Sequence, residues 1–498
     1  MQITVWQDGK SYSGNAACGE RLTDILRRLG AYLPAPCGGN GRCGNCRVQF
    51  THGAPPPSDS DLQKLAPKQI AEGWRLACTA YVRENGTVVI PTAEQLLAEK
   101  SAPQQAAGAV GIAIDLGTTT LAAALVDVTS GQTLAVQTAI NRQRSFGADV
   151  LSRIQSAGNG HAEALRSTAC NDIDALVAAL LQETDTPPAQ VEQVVIAANT
   201  TMQHLLCGLD TTALGVAPFT PVTCSPKPTP YSELTGHATV SCPVSFVPGA
   251  SAFIGGDVIA GLIACDFDRT TQPRLFMDIG TNGELVLAEG DRYMATSVAA
   301  GPAFEGGRLS CGVGGVAGAI CRVSIRTPNV QYETIGHQPP LGLCGTGAVE
   351  ALCALRRAGI VDKTGRLSPL FPEGYPLAEG VVLTQADIRE LQMAKAAVLA
   401  GVTLLLQRNG LGATDVGKAL LAGGFGTQLN VPCAQELGML PRELSAEAVG
   451  NTALAGAIRC LCRQDELARA GTLAAKIEEY TLANDPAFEQ TYMQAMEL

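Results

Sequence analysis

The N-terminal part of the chain alternates apolar and polar positions in short blocks. Residues 1–7 alternate with a period of two, which predicts a β-strand with one buried face. Apolar residues at helical spacing follow over Leu22–Leu29 and predict a short helix. Asn85-Gly86 is a turn signal of the hairpin type in front of a predicted strand, Thr87–Ile90. These short elements together predict a small α+β domain.

A second pattern occurs twice farther along the chain. Residues 112–126 and 275–287 each predict a buried strand that ends in Asp, a Gly-Thr turn and a second apolar strand. A glycine turn then leads to a third strand in each copy. The two aspartates, Asp115 and Asp278, are 163 residues apart. An internal duplication of this kind predicts two similar halves with a cleft between them.

Length and composition favour a well-buried α/β protein with more than one domain. The chain has 498 residues, of which 46% are hydrophobic and 16% charged, so we expect two or three domains. The net charge is −11 without a basic cluster, which argues against nucleic-acid binding. We find neither a signal-peptide pattern nor an apolar run long enough for a membrane span, and we expect a cytoplasmic protein.

Four cysteines have the spacing of iron–sulfur ligands. Three follow a C-x5-C-x2-C pattern on one glycine-rich loop, and the fourth comes after 31 further residues: Cys37, Cys43, Cys46 and Cys78. The loop glycines let the backbone fold tightly and point N–H groups at the sulfurs. This pattern predicts a [2Fe-2S] cluster. A zinc site or a redox disulfide is the alternative, although zinc ribbons usually have two C-x2-C pairs and this set has one.

The other cysteines of the chain are scattered singly. The sequence has 17 cysteines in total, and those outside the four predicted ligands form no regular spacing. We expect them to be small apolar core residues in a reducing compartment, not a disulfide framework.

The duplicated Asp-x-Gly-Thr turn is suited to phosphate binding. Its glycine lets the backbone approach a phosphate, and N–H groups and the threonine hydroxyl donate hydrogen bonds to it. The aspartate would hold Mg²⁺ through water or orient an attacking water. An ordinary hairpin explains one such turn equally well, but two equivalent copies favour a nucleotide site. The candidate catalytic residues are Asp115 and Asp278, and the candidate phosphate-binding residues are Gly117, Thr118, Thr119, Gly280, Thr281, Asn282 and Gly283.

Two further glycine turns complete the predicted nucleotide site. A strand runs into Gly423-Gly424-Phe425 before a helix, and such a turn lets an adenine and ribose lie against the backbone. The turn Gly345-Thr-Gly347 leads into a predicted helix over Ala348–Arg357. Tight packing of strand against helix is the alternative explanation of both turns. With the two Asp turns they resemble the phosphate-1, phosphate-2 and adenosine motifs of the superfamily of actin, sugar kinases and chaperone ATPases. The chain has no P-loop sequence G-x4-G-K-[ST].

These patterns predict an order of domains. The fold class is α/β with an α+β N-terminal domain: a β-grasp [2Fe-2S] ferredoxin, similar to the adrenodoxin type, followed by a duplicated RNase H-like ATPase of the actin and sugar-kinase type. The predicted bounds are 1–92 for the ferredoxin-like domain, 93–108 for a linker, 109–190 for a first ATPase subdomain and 191–498 for a large C-terminal ATPase domain.

Further segments narrow the family: Asn141–Val150, Asn199–Leu206, Gly301–Gly307, Leu391–Ala397 and Gly450–Gly456. With its cluster domain and ATPase, the chain resembles the reductive activators of corrinoid enzymes, which serve corrinoid methyltransferases. The resemblance implies that ATP drives one electron from the [2Fe-2S] cluster to an inactive Co(II) corrinoid and regenerates Co(I) for methyl transfer. It implies ATP and Mg²⁺ as cofactors beside the cluster. The implied partners are a corrinoid protein and a low-potential donor such as ferredoxin or flavodoxin, and a homodimer stays open.

Other functions are consistent with the same residues. An activator of radical dehydratases shares the ATPase fold but holds a [4Fe-4S] cluster between two subunits, so the type of cluster would separate the two. A redox sensor that binds nucleotide without turnover would lack ATPase activity, and a sugar kinase would leave the four cysteines unexplained. His204 and Glu305 lie in the family-like segments, and for both a buried structural role is the alternative to a ligand contact.

Overall fold

The structure is a computed structural model that describes residues 1–7, 10–31, 33, 46–65, 67–90, 108–326 and 329–498. The predicted ligands Cys37 and Cys43, and nearly all of the predicted linker, lie outside these residues. The described residues form a small N-terminal domain and two larger halves, each built on a six-stranded sheet. None of the described helices is long and apolar enough to cross a membrane.

The N-terminal domain is built on one five-stranded sheet. Its elements are β1 (Gln2–Gln7), β2 (Lys10–Asn15), α1 (Leu22–Leu29), β3 (Arg47–His52), α2 (Asp59–Lys64), α3 (Pro67–Ala71), β4 (Trp74–Leu76) and β5 (Gly86–Val89). The strand order is β2-β1-β5-β3-β4, and β1 and β5 are parallel. The predicted first strand is confirmed, because Ile3 and Val5 on β1 are fully buried.

Helix α1 lies beside two of the predicted cluster ligands. Its apolar side chains, including Leu22 and Leu26, are buried in one core together with Cys46 and Cys78. The helix ends at Gly30, whose φ of 74° suits a residue without a side chain. The helix predicted from the apolar spacing is therefore confirmed.

The strand predicted after the Asn85-Gly86 turn signal is confirmed as β5, but the turn does not close a hairpin. β5 lies between β1 and β3, so the turn in front of it does not join two neighbouring strands. The Asn85 side chain instead accepts a hydrogen bond from the backbone N–H of Gln2 at 2.9 Å, which fixes the start of β5 beside β1. An Asn-Gly pair indicates a turn but not which strands it connects.

The first half of the larger part carries three antiparallel strands followed by parallel ones. Its elements are β6 (Val110–Leu116), β7 (Thr120–Asp127), β8 (Thr133–Ile140), α4 (Val150–Ser156), α5 (Ala162–Thr184), β9 (Val191–Ala198), α6 (Thr200–Cys207), β10 (Thr229–Pro230), α7 (Tyr231–Thr235), β11 (Pro243–Phe246) and α8 (Gly256–Ala264). The sheet order is β10-β11-β9-β6-β7-β8.

The second half repeats this plan with insertions. Its elements are β12 (Arg274–Ile279), β13 (Gly283–Glu289), β14 (Arg292–Val298), β15 (Ala319–Arg326), β16 (Asn329–Thr334), β17 (Gly342–Leu343), α9 (Gly345–Arg357), β18 (Tyr375–Ala378), β19 (Val381–Leu383), α10 (Gln385–Arg408), β20 (Lys418–Ala422), α11 (Gly423–Gln428), α12 (Val431–Glu436), β21 (Ala446–Gly450), α13 (Thr452–Cys462), α14 (Gln464–Lys476), β22 (Ile477–Glu479) and α15 (Phe488–Gln494). The sheet order is β21-β20-β12-β13-β14-β22.

The two six-stranded sheets confirm the duplication predicted from the sequence. In the first, β6, β7 and β8 are antiparallel neighbours, and β9 and β11 extend the sheet in parallel to β6. In the second, β12, β13 and β14 are antiparallel neighbours, and β20 and β21 extend it in parallel to β12. Each half is thus an RNase H-like α/β unit, in agreement with the predicted fold class.

Two predicted boundaries differ from the structural units. The proposed division at residues 190/191 falls between paired strands of one sheet, because β9 begins at Val191 and pairs with β6. The sheet itself places the division between α8 and β12. Helix α9 also begins at Gly345, three residues before the predicted start.

Helices α8 and α13 lie between the two sheets and join the halves. One core contains residues of both helices together with Ala113 of β6 and Phe276 of β12. The helices cross at very small residues: a Cβ atom on Gly456 of α13 would lie only 1.9 Å from the Ala260 carbonyl oxygen of α8. The halves therefore meet backbone to backbone.

The N-terminal domain contacts the first half through Arg27 of α1. Its guanidinium donates a hydrogen bond to the Ser145 carbonyl oxygen and lies 4.6 Å from the centre of the Phe146 ring. A cavity of about 420 Å³ opens beside this contact, between α1 and α5. This cavity lies away from the two Asp turns.

Candidate functional site

The described cluster ligands lie side by side. The Cys46 and Cys78 sulfur atoms are 3.2 Å apart, and both residues are buried. The guanidinium groups of Arg21 and Arg27 lie close enough to Cys78 to interact with it electrostatically. Two adjacent buried thiols from distant segments fit a cluster held by cysteines. The other two predicted ligands lie outside the described residues.

The two Asp turns are both closed by a hydrogen bond from the glycine N–H, and the connection between the paired strands is one residue shorter in the second than in the first. We call residues 115–119 the first turn and residues 278–283 the second turn. The Gly117 N–H donates to the Thr120 carbonyl oxygen at 3.0 Å in the first, and the Gly280 N–H donates to the Asn282 carbonyl oxygen at 2.9 Å in the second. Each aspartate is thereby placed at the end of the central strand of its sheet.

The aspartates of both turns lie in a deep, partly open cleft. Burial raises the pKa of Asp115 to about 7, although a hydrogen bond from the Asn451 side chain at 2.9 Å favours the charged form. Burial also raises the pKa of Asp278 to about 7, and the charges of Asp257, Asp115 and Glu305 add to the effect. The structure thus brings together the two aspartates that the sequence predicts as catalytic.

Two further carboxyl groups of the cleft were missed by sequence reasoning. Asp257 stands in the first turn of α8, and burial raises its pKa to about 6. Glu284 lies directly opposite Asp278 in the β12–β13 register, and burial raises its pKa well above the usual value. Glu284 follows the second turn directly, so counting residues across that turn would have found it. Asp257 belongs to no repeated pattern.

Glu305 links the two turns across the cleft. Its Oε2 atom accepts hydrogen bonds from the Thr119 hydroxyl at 2.9 Å and from the Thr281 hydroxyl at 2.6 Å. The sequence predicted both threonines as phosphate ligands and left Glu305 open. The structure places all three side chains at one point.

Two neutral amide groups and one positive guanidinium donate hydrogen bonds to the first turn. The Asn199 amide donates to the Thr118 hydroxyl at 3.0 Å, and the Asn141 amide donates to the Gly117 carbonyl oxygen at 2.8 Å. The buried Arg153 guanidinium donates to the Thr118 carbonyl oxygen. The family-like segments that begin at Asn141 and Asn199 therefore support the first turn.

Of the remaining glycine turns, only one borders the carboxyl groups directly. A Cβ atom on Gly423 would lie 2.5 Å from Asp278 Oδ1, and the φ of Gly423 is 84°. In the other turn, a Cβ atom on Gly345 would lie 1.7 Å from the Phe304 carbonyl oxygen, and one on Gly347 would lie 2.0 Å from that of Ile320. Close packing therefore accounts for the glycines at positions 345 and 347.

The third residue of the predicted adenosine motif faces the protein interior. The Phe425 ring is buried and stacks on the Phe304 ring at 4.7 Å between centroids. Gly424 beside it is exposed, and a Cβ atom there would meet no other atom within 4 Å. The backbone at Gly424, not the Phe425 ring, is open to a ligand.

His204 has a structural role. The residue is fully buried, its Nδ1 contacts the Thr200 carbonyl oxygen at 2.7 Å, and its Nε2 accepts the Val222 N–H at 3.0 Å. This arrangement requires a neutral ring with the proton on Nδ1. Burial lowers the pKa of the ring, which agrees with the neutral form.

The cleft carboxyl groups do not by themselves form a closed metal site. Among the described residues, no three His, Cys, Asp or Glu side chains converge closely enough to hold an ion. Magnesium usually keeps several waters and binds through one or two carboxylates together with substrate phosphates. The arrangement fits that mode of binding.

Comparison with known proteins accounts for most of the chain. Residues 6–83 match the 2Fe-2S iron-sulfur cluster binding domain, residues 110–270 match the RACo middle region, and residues 272–498 match the C-terminal domain of RACo, the ASKHA domain. The corrinoid activation enzyme RamQ of Eubacterium limosum is 32% identical over 430 residues, which are 77% of this chain and 69% of that protein. The chain belongs to the RACo family.

Two further proteins are similar to this chain. The [Co(II) methylated amine-specific corrinoid protein] reductase of Methanosarcina barkeri is 28% identical over 295 residues. These residues are 53% of this chain and 53% of that protein. A solved structure of a reductive activator for corrinoid,iron-sulfur protein superposes with a TM-score of 0.71 at 27% identity. That superposition covers 100% of this chain and 98% of the other. The middle and C-terminal RACo regions meet between residues 270 and 272, where the two sheets divide.

Proposed function

We propose that this protein is an ATP-dependent reductive activator of a corrinoid protein. One electron from an external low-potential donor passes by way of the N-terminal domain to an inactive Co(II) corrinoid, which becomes Co(I) and can again accept a methyl group. The observation that carries the proposal is the combination, in one RACo-family chain, of a buried cysteine pair and a carboxyl-lined cleft between two duplicated turns. A [2Fe-2S] cluster held by Cys37, Cys43, Cys46 and Cys78 would supply the one-electron chemistry.

In this proposal the two turns bind the phosphates of ATP. The backbone at Gly117 and Gly280 allows close approach, and the Thr119 and Thr281 hydroxyls donate to phosphate oxygens. Asp115 and Asp278 orient water and the waters of Mg²⁺, because both lie at strand ends in the cleft. The adenosine would lie along the exposed backbone of Gly424.

A nucleotide is needed because the electron transfer is uphill. Plant-type [2Fe-2S] centres have potentials near about −400 mV, and Co(I) is a stronger reductant. Each 100 mV of shortfall costs about 2.3 kcal/mol per electron. A nucleotide that closes the cleft can supply this free energy only if the two states of the protein bind the Co(II) partner differently.

The proposal is tested by following Co(I) formation anaerobically. The protein, a Co(II) corrinoid protein, a donor no stronger than ferredoxin, and MgATP should give the visible absorption of Co(I), and omission of ATP should abolish it. A Cys78→Ser variant should still hydrolyse ATP but fail to form Co(I), because the cysteine lies in a separate domain. Iron analysis should give two irons per chain.

Two results would contradict the proposal. Co(I) formation at the same rate and extent without ATP would make the protein an ordinary electron carrier. The EPR signal of a [4Fe-4S] cluster in place of a [2Fe-2S] cluster would instead favour the radical-dehydratase type of activator.

A further inference from the structure

The segment that carries Glu305 is a short turn between two glycines. We call residues 301–306 the Glu305 turn. Pro302–Glu305 form a single 3-10 turn, with Gly301 and Gly306 at φ of 75° and 76° on either side. A Cβ atom on Gly306 would lie 2.0 Å from the Val313 carbonyl oxygen. These glycines fix the direction in which the Glu305 side chain leaves the backbone.

Glu305 accepts from the two hydroxyl groups that face the cleft from opposite halves. Thr119 belongs to the first sheet and Thr281 to the second, and both donate to the same oxygen, Oε2. Its Oε1 atom lies beside the second turn, 3.2 Å from the place of a Cβ on Gly280. In the described part of the chain, Glu305 forms no ion pair with a Lys or Arg side chain. The carboxylate therefore sits between the two turns without a neutralising charge.

A hydroxyl group has one proton and donates it to one acceptor at a time. If Thr119 and Thr281 donate to nucleotide phosphates, they must first release Glu305. We propose that Glu305 is a positioning residue that occupies the place of a phosphoryl group in the nucleotide-free cleft and gives up both hydroxyls when nucleotide binds. This inference rests on the proposed function and adds a regulatory step to the same site.

The same turn contacts the elements on the adenosine side. The Phe304 ring stacks on Phe425, which directly follows the exposed Gly424. The Phe304 carbonyl oxygen also closely approaches Gly345 at the start of α9. A shift of the Glu305 turn would therefore change contacts at both Asp turns and at the Gly-Gly-Phe segment. Through these contacts, the binding of a nucleotide in the cleft would affect both halves.

The negative charge of Glu305 opposes the binding of a phosphate group in its place. Burial is the main cause of the raised pKa of Asp278 and Glu284, and the negative charge of Glu305 adds to it, so Glu305 opposes further negative charge at this point. A phosphate group without a metal ion must overcome this repulsion and displace two hydrogen bonds. Removal of the Glu305 charge should therefore strengthen the binding of a metal-free nucleotide.

The test measures ADP binding by calorimetry in EDTA-containing buffer, with the full-length protein. Glu305→Ala should bind ADP about tenfold more tightly than the wild type, because hydrogen bonds to a charged group no longer have to be broken. Glu305→Gln keeps the size of the side chain and an acceptor oxygen but removes the charge, so it should give a smaller gain. Circular dichroism melting would check that both variants fold.

The matched control is Glu333→Gln on β16, which removes a carboxylate of the same length that pairs with Arg322 at the surface. It should leave ADP affinity unchanged. Equal or weaker ADP binding by Glu305→Ala, with the wild type still binding ADP, would overturn this inference alone. Absence of ADP binding by the wild type, with and without Mg²⁺, would overturn the proposed function and this inference with it.

Discussion

The first and second turns share a sequence pattern but have different surroundings. Asp115 of the first turn accepts a hydrogen bond from Asn451 at 2.9 Å. In the described part of the chain no hydrogen-bond donor reaches Asp278 of the second turn, which instead faces the charges of Asp257, Asp115 and Glu305. The two turns therefore share a sequence pattern, but the connection between the paired strands is one residue shorter in the second and the residues around the turns differ.

This difference assigns the two turns different tasks. The first turn is held by amide groups and by a buried guanidinium, so it is suited to fix the position of a phosphate. The second turn lies among carboxyl groups whose charges repel one another, and such a group gains most from a bound cation or a proton. We therefore expect chemistry to depend more strongly on Asp278 than on Asp115.

The largest expected effect comes from the two aspartates themselves. Asp278→Asn should lower ATP turnover by about 10²-fold or more, the usual scale for a lost positioning or acid–base group. Asp115→Asn should lower ATP turnover by roughly tenfold or less, since an asparagine oxygen can still accept a hydrogen bond from Asn451. Steady-state ATP hydrolysis at saturating MgATP measures both. Equal losses in the two variants would break the distinction between the turns.

A second effect concerns stability and pH in the nucleotide-free protein. Burial and neighbouring charges raise the pKa of Asp278 to about 7, so the folded state holds its proton more tightly than the unfolded state. The stability contributed by this proton is fully present below about pH 4 and is lost as the pH rises through 7. As the pH rises from 4.5 to 8, the free energy of unfolding of Asp278→Asn should therefore increase by up to about 3 kcal/mol relative to that of the wild type.

Thermal unfolding at several pH values measures this gain, and Asp127 provides a control of opposite sign. Hydrogen bonds from Ser130 and Thr129 lower the pKa of that exposed carboxyl, so Asp127→Asn should lose stability relative to the wild type as the pH rises. If the difference in stability between Asp278→Asn and the wild type did not change with pH, Asp278 would not be buried among like charges.

The smallest effect separates the support of the first turn from the support of a helix. Asn451 caps α13 and also donates to Asp115, whereas Asn430 caps α12 and donates to Glu350. Each Asn→Ala change should cost about 1 kcal/mol of stability through the lost cap. Only Asn451→Ala should also change ATP turnover, by a few-fold. A matching change in Asn430→Ala would mean that cap loss alone explains it.

The repeated pattern made most of the fold predictable. Two strand–turn–strand copies with equivalent aspartates were enough to expect two similar sheets, because strand order within such a unit follows from its short connections. The cleft between Asp115 and Asp278 followed directly. The division of the halves was harder to predict, since β9 is distant in sequence from its neighbour β6 and only the sheet pairing shows that they belong together.

The residues that complete the site were predictable only in part. Glu284 sits opposite Asp278 because the second turn is short, and this register can be counted from the sequence. Asp257 and Glu305 reach the cleft through the packing of α8 and of the Glu305 turn, which brings together segments with no common pattern. Phe425 shows the converse: the sequence placed it near a ligand, and its ring is buried in the core.

The contact between α8 and α13 determines how the cleft can move. Gly456 lets the backbones of the two helices approach closely, and Gly261 of α8 makes a second close approach to the Thr452 hydroxyl of α13. Sliding would separate the core that both helices share, so rotation about this contact is the easier motion. The contact between the two helices is the pivot of this rotation. A small rotation at Gly456 becomes a larger displacement at the mouth of the cleft, where a bound nucleotide would draw the halves together.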